Sequence, residues 1–470
     1  MQSPYARVHC IGIGGIHVSA VAKLLISLGV RVTGSDLVEN EQVNVLRGLG
    51  ITVAIGHVPE NVPADAQAVV FSSAANETNP ELRAARERNL PVYNSHQFLG
   101  VLGESMKQIV VTGTHGKSTT TAMLGVLLKE AGLNPTVVVG TNVPQFAQGN
   151  LEIGASDWLL VEGDEFDHHF LSYRPSVLVI NNIEADHFDI FPTMEALRQA
   201  YRDLCTRVVD GGCVIVNGDD AECQTLIDEL RQHLQAHNVG IVFVGESGGC
   251  EVRLLGRRVK EGTQEFRLQS LLSGQEVTLP LQIPGEMNVR NAAMCYAVAE
   301  RLEVPLAKTV TGLGVFRGVW RRLEKIGEKD GVTVFSDYGH HPTAVARTLE
   351  AVKEFYPDRR LVLCFQPHHR NRTKHLFLEF VSSFDLADVL HLCEIYDVKG
   401  RDQVEDEAIS SRDLVQAIQH HDADRGVHRE LVFAENPQKS LEALQTQLKS
   451  GDVLVVMGAG DIYTITYALV

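Results

Sequence analysis

The sequence predicts an α/β protein of three domains with mostly parallel sheets. Apolar, strand-like runs alternate with segments of helical periodicity along nearly the whole chain, which is typical of parallel strands joined by helices. Glycine-rich turns follow two of these runs, at residues 12–15 and 113–116. The length of 470 residues exceeds what one hydrophobic core supports, so several domains are expected.

The order of these elements places two domain boundaries. One α/β unit ends near residues 100–106 and another near 312–317, which gives domains at 1–104, 105–316 and 317–470. Residues 240–283 differ, because short alternating segments with turns indicate an antiparallel insert or edge. The predicted strands are Val8–Ile13, Arg31–Gly34, Ala68–Ser72, Gln108–Thr112, Trp158–Glu162, Ser176–Asn181, Gly212–Asn217, Val332–Ser336, Arg360–Phe365 and Val453–Met457, and the predicted helices include Val18–Leu28, Asn79–Arg88 and Thr343–Glu354.

The composition excludes some classes of partner. The net charge is −17, which argues against nonspecific binding of nucleic acid or of anionic membranes. The sequence shows neither a signal-like start nor an apolar run of membrane-spanning length, so no membrane insertion is expected. Its eight cysteines are scattered without a Cys-x-x-Cys pair, which favours reduced thiols and a cytoplasmic location.

The first glycine turn predicts a Rossmann-like N-terminal domain with a phosphate site. Gly12, Gly14 and Gly15 follow a strand and open a helix, and Asp36 ends the next strand. His17 stands where the third glycine of a dinucleotide fingerprint belongs. The pattern therefore favours the diphosphate of a nucleotide or sugar nucleotide over NAD. Tight packing of helix on strand remains the alternative.

The second glycine turn predicts a nucleoside-triphosphate site in the central domain. An apolar run ends at Thr112, and Gly-Lys-Ser at 116–118 opens a helix. Backbone N–H groups, the helix dipole and a lysine then converge on phosphate, while the hydroxyl can hold Mg²⁺. Two residues, not the standard four, separate the glycines, so a simple tight turn is the alternative. The candidate ATP contacts are Gly113, Thr114, His115, Gly116, Lys117, Ser118 and Thr119.

Two acidic segments follow predicted strands of the central domain. Ligand sites in parallel sheets collect at the carboxyl ends of strands, and Mg²⁺ takes a few protein oxygen ligands together with phosphate. Ser118, Glu162 and His187 are therefore the predicted Mg²⁺ ligands. A zinc site at residues 168–169 with His187 is the alternative, although no cysteine is suitably spaced. The weaker metal candidates, which solvated surface explains equally well, are Asp164, Glu165, Asp167 and His168.

Later clusters carry further candidates. Asn288 opens a helix, where its amide could contact a base or cap the helix. The paired guanidiniums of Arg321 and Arg322 suit phosphate charge near a domain junction. Histidines and arginines are dense at residues 337–342 and 365–373, after strands of the third domain, and such groups favour anion binding over packing.

Together, these motifs resemble the Mur ligases of peptidoglycan synthesis, nearly from end to end. The resemblance is carried by Gly12–Gly15, Gly34–Asp36, Ser72–Ala74, Asn79–Glu81, Gly113–Thr119, Asn182–His187, Arg321–Arg322, Asp337–Thr343, Phe365–His368 and Gly458–Ile462. It implies ATP-dependent ligation of L-alanine to UDP-N-acetylmuramate through an acyl phosphate, with Mg²⁺ as cofactor. It further implies a Rossmann-like C-terminal domain and a monomer or homodimer.

The resemblance also implies roles for individual residues. Lys117 and Arg322 would neutralise charge, and His341 and Arg372 would lie at the reacting end. The implied catalytic residues are Lys117, His187, Arg322, His341 and Arg372; the implied further ATP contacts are Asn288, Arg322 and Asp337; the implied contacts to the UDP substrate are Gly12, Gly14, Gly15, Asp36, Ser72 and Ser73.

Several positions depart from the family pattern. This chain has Met287 where the family usually has histidine, His369 (followed by Arg370) where it has arginine, Ser336 where it has aspartate, His17 where it has glycine, and Ser95 where it has arginine. No lysine occurs between Glu162 and Lys260, which excludes a carbamoylated lysine there. A ligase that attaches a preformed tripeptide and a non-catalytic nucleotide-binding homologue remain alternatives, and a plain P-loop NTPase would leave the first glycine turn unexplained.

Overall fold

The computed structural model describes residues 1–185, 190–260, 263–397 and 409–470. They form two compact units. Unit 1 comprises Met1–Gly256, Phe266–Pro280 and Arg290–Arg317, and unit 2 comprises Arg257–Glu265, Leu281–Val289 and Gly318–Val470. Three mostly parallel sheets with accompanying helices confirm the predicted fold class, while the three domain boundaries stay a prediction. No helix within the described ranges is both long and apolar enough to cross a membrane.

The first sheet is parallel throughout and has the order β3-β2-β1-β4-β5. Its strands are β1 Arg7–Ile11, β2 Arg31–Asp36, β3 Thr52–Ile55, β4 Ala68–Phe71 and β5 Val92–Asn94, and its helices are α1 Ile16–Ser27, α2 Glu41–Gly48, α3 Pro80–Glu87 and α4 Ser95–Leu102. The order reverses between β1 and β4, and ligands of open α/β sheets bind at such a switch point. The glycine turn at residues 12–15 directly follows β1.

The second sheet contains ten strands in the order β15-β14-β13-β12-β11-β10-β6-β9-β7-β8. They are β6 Lys107–Thr112, β7 Thr136–Val138, β8 Leu151–Glu152, β9 Trp158–Glu162, β10 Pro175–Ile180, β11 Cys213–Asn217, β12 Gly240–Gly245, β13 Val252–Lys260, β14 Thr263–Ser270 and β15 Glu276–Leu281. The accompanying helices are α5 Lys117–Ala131, α6 Met194–Cys205, α7 Ala221–Ala236, α8 Glu286–Arg301 and α9 Leu306–Val315.

The prediction for residues 240–283 is correct in part. β12 pairs in parallel with both β11 and β13, so the start of this segment continues the parallel sheet instead of forming an antiparallel insert. β14 and β15 are neighbours joined only by residues 271–275. That link is too short for a parallel crossover, and this pair is therefore an antiparallel hairpin at the edge of the sheet.

The third sheet lies in unit 2 and has the order β16-β17-β21-β18-β19-β20. Only the β16–β17 pair is antiparallel. The strands are β16 Glu324–Lys329, β17 Val332–Asp337, β18 Leu361–Phe365, β19 Val389–Cys393, β20 Glu430–Ala434 and β21 Val453–Met457, and the helices are α10 Pro342–Phe355, α11 Arg370–His375, α12 Phe377–Ser383, α13 Ser411–Asp424 and α14 Pro437–Gln447. β17, β18 and β21 are buried along their whole length, as expected of central parallel strands.

A buried carboxylate stabilises the first sheet. Glu81 on α3 is fully buried and accepts hydrogen bonds from Ser35 (2.6 Å) and Asn61 (2.7 Å). It also lies 3.0 Å from His9 Nε2 and 3.1 Å from His57 Nδ1. Burial by itself would raise the pKa of Glu81, but the hydrogen bonds with His9, Ser35 and Asn61 outweigh burial and lower it to about 2. The charged form of this carboxylate is therefore part of the folded state.

We expect Glu81→Ala to lower the free energy of unfolding by about 3–5 kcal/mol, because it leaves several buried polar groups without their acceptor. Glu77→Ala is the matched control, since the Glu77–Arg86 ion pair is exposed and such pairs contribute about 0–1 kcal/mol. The folded-state pKa lies below the ordinary 4.5, so the stabilisation is present above pH 4.5 and lost as pH falls towards 2. Urea unfolding at several pH values measures this; equal losses for the two variants would contradict it.

Candidate active site

The loop after β6 has the geometry of a phosphate-binding turn. Gly113 and Gly116 adopt φ values of +132° and +83°, which L side chains rarely adopt. A Cβ on Gly116 would approach Asn291 Oδ1 to 2.7 Å and Asn181 Nδ2 to 2.9 Å, so the position is closed to larger residues. Gly116 is the N-cap of α5 and no side chain caps the helix. The first N–H groups of α5 are thus available to an anion.

Lys117 begins α5 and is held by a carboxylate. Its Nζ donates to Glu165 Oε2 at 2.7 Å, to Oε1 at 2.9 Å and to the Gly113 carbonyl at 2.8 Å. Burial opposes the charge of Lys117, but Glu165 and neighbouring carboxylates raise its pKa above the ordinary value. Burial also raises the pKa of Glu165, to about 7, against the influence of Lys117. The sequence indicates Glu165 only as a weak metal candidate, whereas in the structure its carboxylate contacts Lys117.

The predicted magnesium ligands Ser118 and Glu162 lie together. Ser118 Oγ donates to Glu162 Oε1 at 2.9 Å, and both residues are buried. The other oxygen of Glu162 accepts from the backbone of Gly140 at 2.7 Å, a contact with no signal in the sequence. A hydroxyl and a carboxylate beside a phosphate loop are the donor set that Mg²⁺ prefers. His187, the third predicted ligand, lies outside the described residues.

The backbone after β10 supports the phosphate loop. Asn182 Oδ1 accepts from the N–H of His115 at 2.8 Å, and the Glu184 carbonyl accepts from Thr114 Oγ1 at 2.9 Å. His115 Nε2 lies 3.0 Å from a carboxylate oxygen of Glu184, so its ring interacts with this loop. Thr119 is buried within α5. The contacts of Thr114, His115 and Thr119 with ATP stay predictions.

The first glycine turn, in unit 1, also leads into a helix start without a side-chain cap. Gly12 has φ +67°, and a Cβ there would lie 2.9 Å from that of Ser72. The N–H of Gly14 donates to Asp36 Oδ2 at 2.8 Å. Gly15 is the N-cap of α1, again without a side-chain cap. The predicted UDP-site residues therefore gather around an open helix N-terminus at the switch point of the first sheet.

The two neighbouring histidines of the alternative zinc set have different surroundings. His168 is exposed, and its ring packs edge-on against Phe191 at 5.2 Å. His169 is buried, and its Nε2 lies 2.9 Å from Ser73 Oγ. Ser73, predicted for the UDP site, is thus also a partner of His169. One of the two adjacent histidines is therefore exposed and the other buried, which does not favour both as ligands of one zinc ion.

In unit 2, the paired guanidiniums are not equivalent. Arg321 is 4% exposed, donates to the carbonyls of Gly458 and Gly460, and lies 4.3 Å from the ring centroid of Tyr463. Arg322 is exposed and lies 4.9 Å from the ring centroid of Tyr338. The expectation that both suit phosphate charge is corrected for Arg321, because backbone carbonyls already hold its guanidinium.

Asp337, at the end of β17, organises the Arg322 loop. Its Oδ2 accepts from the N–H of Leu323 and its Oδ1 from that of Gly339, each at 2.6 Å. Burial raises the pKa of Asp337, although Arg322 and these two N–H groups oppose the shift. The carboxylate therefore holds together the backbone just before β16 and the backbone just after β17. Its predicted contact with ATP stays a prediction.

The remaining candidates of unit 2 lie at helix starts. His341 is the N-cap of α10 and its Nδ1 accepts from Thr343 N at 3.4 Å. Asn288 donates to the Pro284 carbonyl at 2.7 Å, so its amide has a local structural role. Arg372 lies in α11, whose N-cap His369 has φ +68°. The predicted catalytic and nucleotide roles of these residues are not tested by these contacts.

One departure from the family pattern, Met287, has a local explanation. Met287 packs against the apolar core of the third sheet, where a charged histidine would lose hydration. Arg370 Nε donates to Asp397 at 2.9 Å, and its Nη2 donates to the same carboxylate at 3.0 Å. Arg370 therefore pairs with Asp397. These contacts do not support Arg370 as a replacement for the family arginine at position 369.

Three family models match the chain in succession. Residues 7–106 match the Mur ligase family catalytic domain, residues 111–299 the Mur ligase middle domain, and residues 321–460 the Mur ligase glutamate ligase domain.

Similar proteins cover nearly all of the chain. A UDP-N-acetylmuramate–L-alanine ligase of Salinibacter ruber is 36% identical, over 99% of this chain and 94% of its own length. The enzyme of the same name from Solidesulfovibrio magneticus is 37% identical, over 99% of this chain and 98% of its own length. The crystal structure of UDP-N-acetylmuramate–alanine ligase from Thermotoga maritima is similar with a TM-score of 0.81 and 27% identity, over 98% and 97% of the two chains. A murein peptide ligase from Psychrobacter arcticus shares the fold with a TM-score of 0.70 at 22% identity, over 99% and 98%.

Proposed function

Because this chain belongs to the Mur ligase family, we propose that it joins L-alanine to UDP-N-acetylmuramate and converts ATP to ADP and phosphate. The observation that carries the proposal is the phosphate loop with Lys117, and with Ser118 bonded to Glu162, in a chain that matches such ligases along its length. The product belongs to peptidoglycan precursor synthesis.

The central domain would bind ATP and Mg²⁺. The open N-terminus of α5 and the closed surroundings of Gly116 fit a bound phosphate chain. Ser118 and Glu162, with the predicted His187, would hold Mg²⁺, which would neutralise the charge of the triphosphate. Lys117 would exchange Glu165 for a phosphate oxygen. The raised pKa of Glu165 eases this exchange, since the released carboxyl can take up a proton.

The N-terminal domain would bind the UDP part of the substrate. The N–H groups at the start of α1 would donate to the diphosphate, and Ser72 and Ser73 lie beside this turn. The bound muramate carboxylate would attack the γ-phosphate to give an acyl phosphate. The amine of L-alanine would then displace phosphate. Positioning and charge neutralisation are the main contributions that a protein makes to phosphoryl transfer.

Unit 2 would supply Arg322, His341 and Arg372 to the reacting groups, and Asn288 and Asp337 to the nucleotide. Asp337 fixes the backbone beside Arg322, so it would also position that guanidinium. Domains at 1–104, 105–316 and 317–470, a cytoplasmic location, and a monomer or homodimer complete the proposal.

A tripeptide ligase is the second candidate, because a murein peptide ligase shares the fold over nearly the whole chain. The named L-alanine ligases at 36–37% identity favour L-alanine.

Phosphate release from ATP tests the ligase directly when each substrate is omitted in turn. We expect release only when ATP, Mg²⁺, UDP-N-acetylmuramate and L-alanine are all present. Release from ATP alone at the same rate would identify a simple NTPase, and no release with any acceptor would identify a non-catalytic homologue.

The two neighbouring arginines allow a matched test. Arg322→Ala should lower kcat/KM by about 10–100-fold, through lost charge-assisted contacts, with little change in Tm. Arg321→Ala should lower the free energy of unfolding by about 2–4 kcal/mol, because two buried carbonyls lose their donor. Steady-state kinetics and thermal unfolding of both variants measure this. A large fall in Tm for Arg322→Ala with unchanged kinetics would contradict a catalytic role for Arg322 and indicate a structural one.

A further inference from the structure

Two histidines and one aspartate converge in unit 1, beside the first glycine turn. His96, Asp164 and His169 each offer one ligand atom, and these atoms lie within 4.8 Å of one another. His96 comes from α4 of the first sheet, whereas Asp164 and His169 follow β9 of the second. The rings of His96 and His169 stack with centroids 4.4 Å apart. The sequence ranks Asp164 only as a weaker metal candidate and includes His169 in the alternative zinc set, and none of the three is among the predicted magnesium ligands Ser118, Glu162 and His187.

Each histidine of this cluster has one ring nitrogen fixed by a hydroxyl group. His169 Nε2 lies 2.9 Å from Ser73 Oγ, and His96 Nδ1 lies 3.2 Å from the Tyr173 hydroxyl. Metal-binding histidines are generally held in this way, with one nitrogen on an orienting partner and the other on the metal.

The remaining nitrogen of His169 has no hydrogen-bond partner within the described part of the chain. Its Nδ1 is buried in a side chain that is 4% exposed, and it faces Asp164 Oδ2 at 3.8 Å. His17 Nδ1 on the adjoining helix α1 is also buried without a hydrogen bond among described residues, and its ring lies 4.5 Å from that of His96. An unbonded buried ring nitrogen is unfavourable, and a cation bound at His169 Nδ1 would supply its missing partner.

The charges of the cluster suit a cation. Burial disfavours the charged form of His96 and holds its pKa well below its usual range. Two imidazoles and one carboxylate are ligands of zinc-like cations, whereas Mg²⁺ prefers oxygen.

We propose that His96, Asp164 and His169 form a binding site for a divalent transition-metal cation of the Zn²⁺ class, separate from the magnesium ligands Ser118 and Glu162. Three protein ligands leave one coordination position open. Because its ligands follow elements of two different sheets, the bound cation would link the glycine-turn region to the central sheet.

Co²⁺ titration of the metal-free full-length protein tests this site, with Co²⁺ as a spectroscopic substitute for Zn²⁺. We expect one equivalent to bind with visible absorption bands, to persist in a large excess of Mg²⁺ and to be displaced by Zn²⁺. His169→Ala and His96→Gln should abolish these bands. His168→Ala, the exposed neighbour, and Glu162→Gln should retain them. Ser73→Ala should weaken binding by about tenfold or more, as loss of an orienting partner does.

Circular dichroism and Tm establish that each variant is folded. If His169→Ala and His96→Gln do not fold, Asp164→Asn carries the test, since it preserves the side-chain volume and should weaken Co²⁺ binding at least tenfold. Absence of stoichiometric binding by the unmodified protein overturns the proposal, as does binding by folded His169→Ala with unchanged affinity. Loss of the bands in Glu162→Gln alone would assign the metal to the magnesium set instead.

Discussion

Lys117→Ala is expected to lower kcat by at least about a thousandfold, because it removes the positive charge that the phosphate loop would place on the transferred phosphoryl group. Binding of UDP-N-acetylmuramate should be nearly unchanged, since the first glycine turn lies on another sheet of unit 1. Single-turnover phosphate release measures the first effect, and calorimetric titration with the UDP-sugar measures the second.

The Lys117–Glu165 contact requires a control for stability. Removing the lysine leaves Glu165, which is 2% exposed, without its cation. The double variant Lys117→Ala/Glu165→Gln removes both charges and should regain stability, yet remain as inactive as the single variant. If the double variant regains turnover, the loss in Lys117→Ala comes from misfolding of the loop. Full activity of Lys117→Ala itself would refute the assignment of the phosphate loop.

Glu162→Gln is expected to lower kcat by about a hundredfold or more at moderate Mg²⁺ concentration, because it removes the anionic ligand beside Ser118. Raising the Mg²⁺ concentration should recover part of the activity. A Mg²⁺ titration of the initial rate measures this. Glu130→Gln, an exposed carboxylate near the end of α5, is the control and should match the unmodified protein. An unchanged Mg²⁺ dependence in Glu162→Gln would contradict the metal assignment.

The local motifs of the fold could be predicted because each lies in one short stretch of sequence. Ten strands and three helices were predicted within two residues of their observed ends, since apolar runs and glycine turns define them. Short strands such as β7 and β8 were missed because three or two residues are too few for a period to be visible. β12 was misassigned because a parallel and an antiparallel strand of that length have the same pattern.

Contacts between distant segments could not be predicted. Glu165 is one of several carboxylates after β9, and its contact with Lys117 depends on how the fold brings the two segments together. His96 lies far from His169 in the sequence, so no local sequence pattern indicates that the two rings stack. Arg321 and Arg322 are chemically alike in the sequence, but in the fold Arg321 is buried against the carbonyls of Gly458 and Gly460 whereas Arg322 is exposed.

The choice of acceptor is the most direct test of the proposed function. L-alanine and an L-Ala-γ-D-Glu-containing tripeptide compete for UDP-N-acetylmuramate in one reaction with ATP and Mg²⁺, and mass spectrometry identifies the nucleotide product. We expect UDP-N-acetylmuramoyl-L-alanine as the main product, formed in step with phosphate. Exclusive formation of the tripeptide conjugate would contradict it and identify a ligase for preformed peptides.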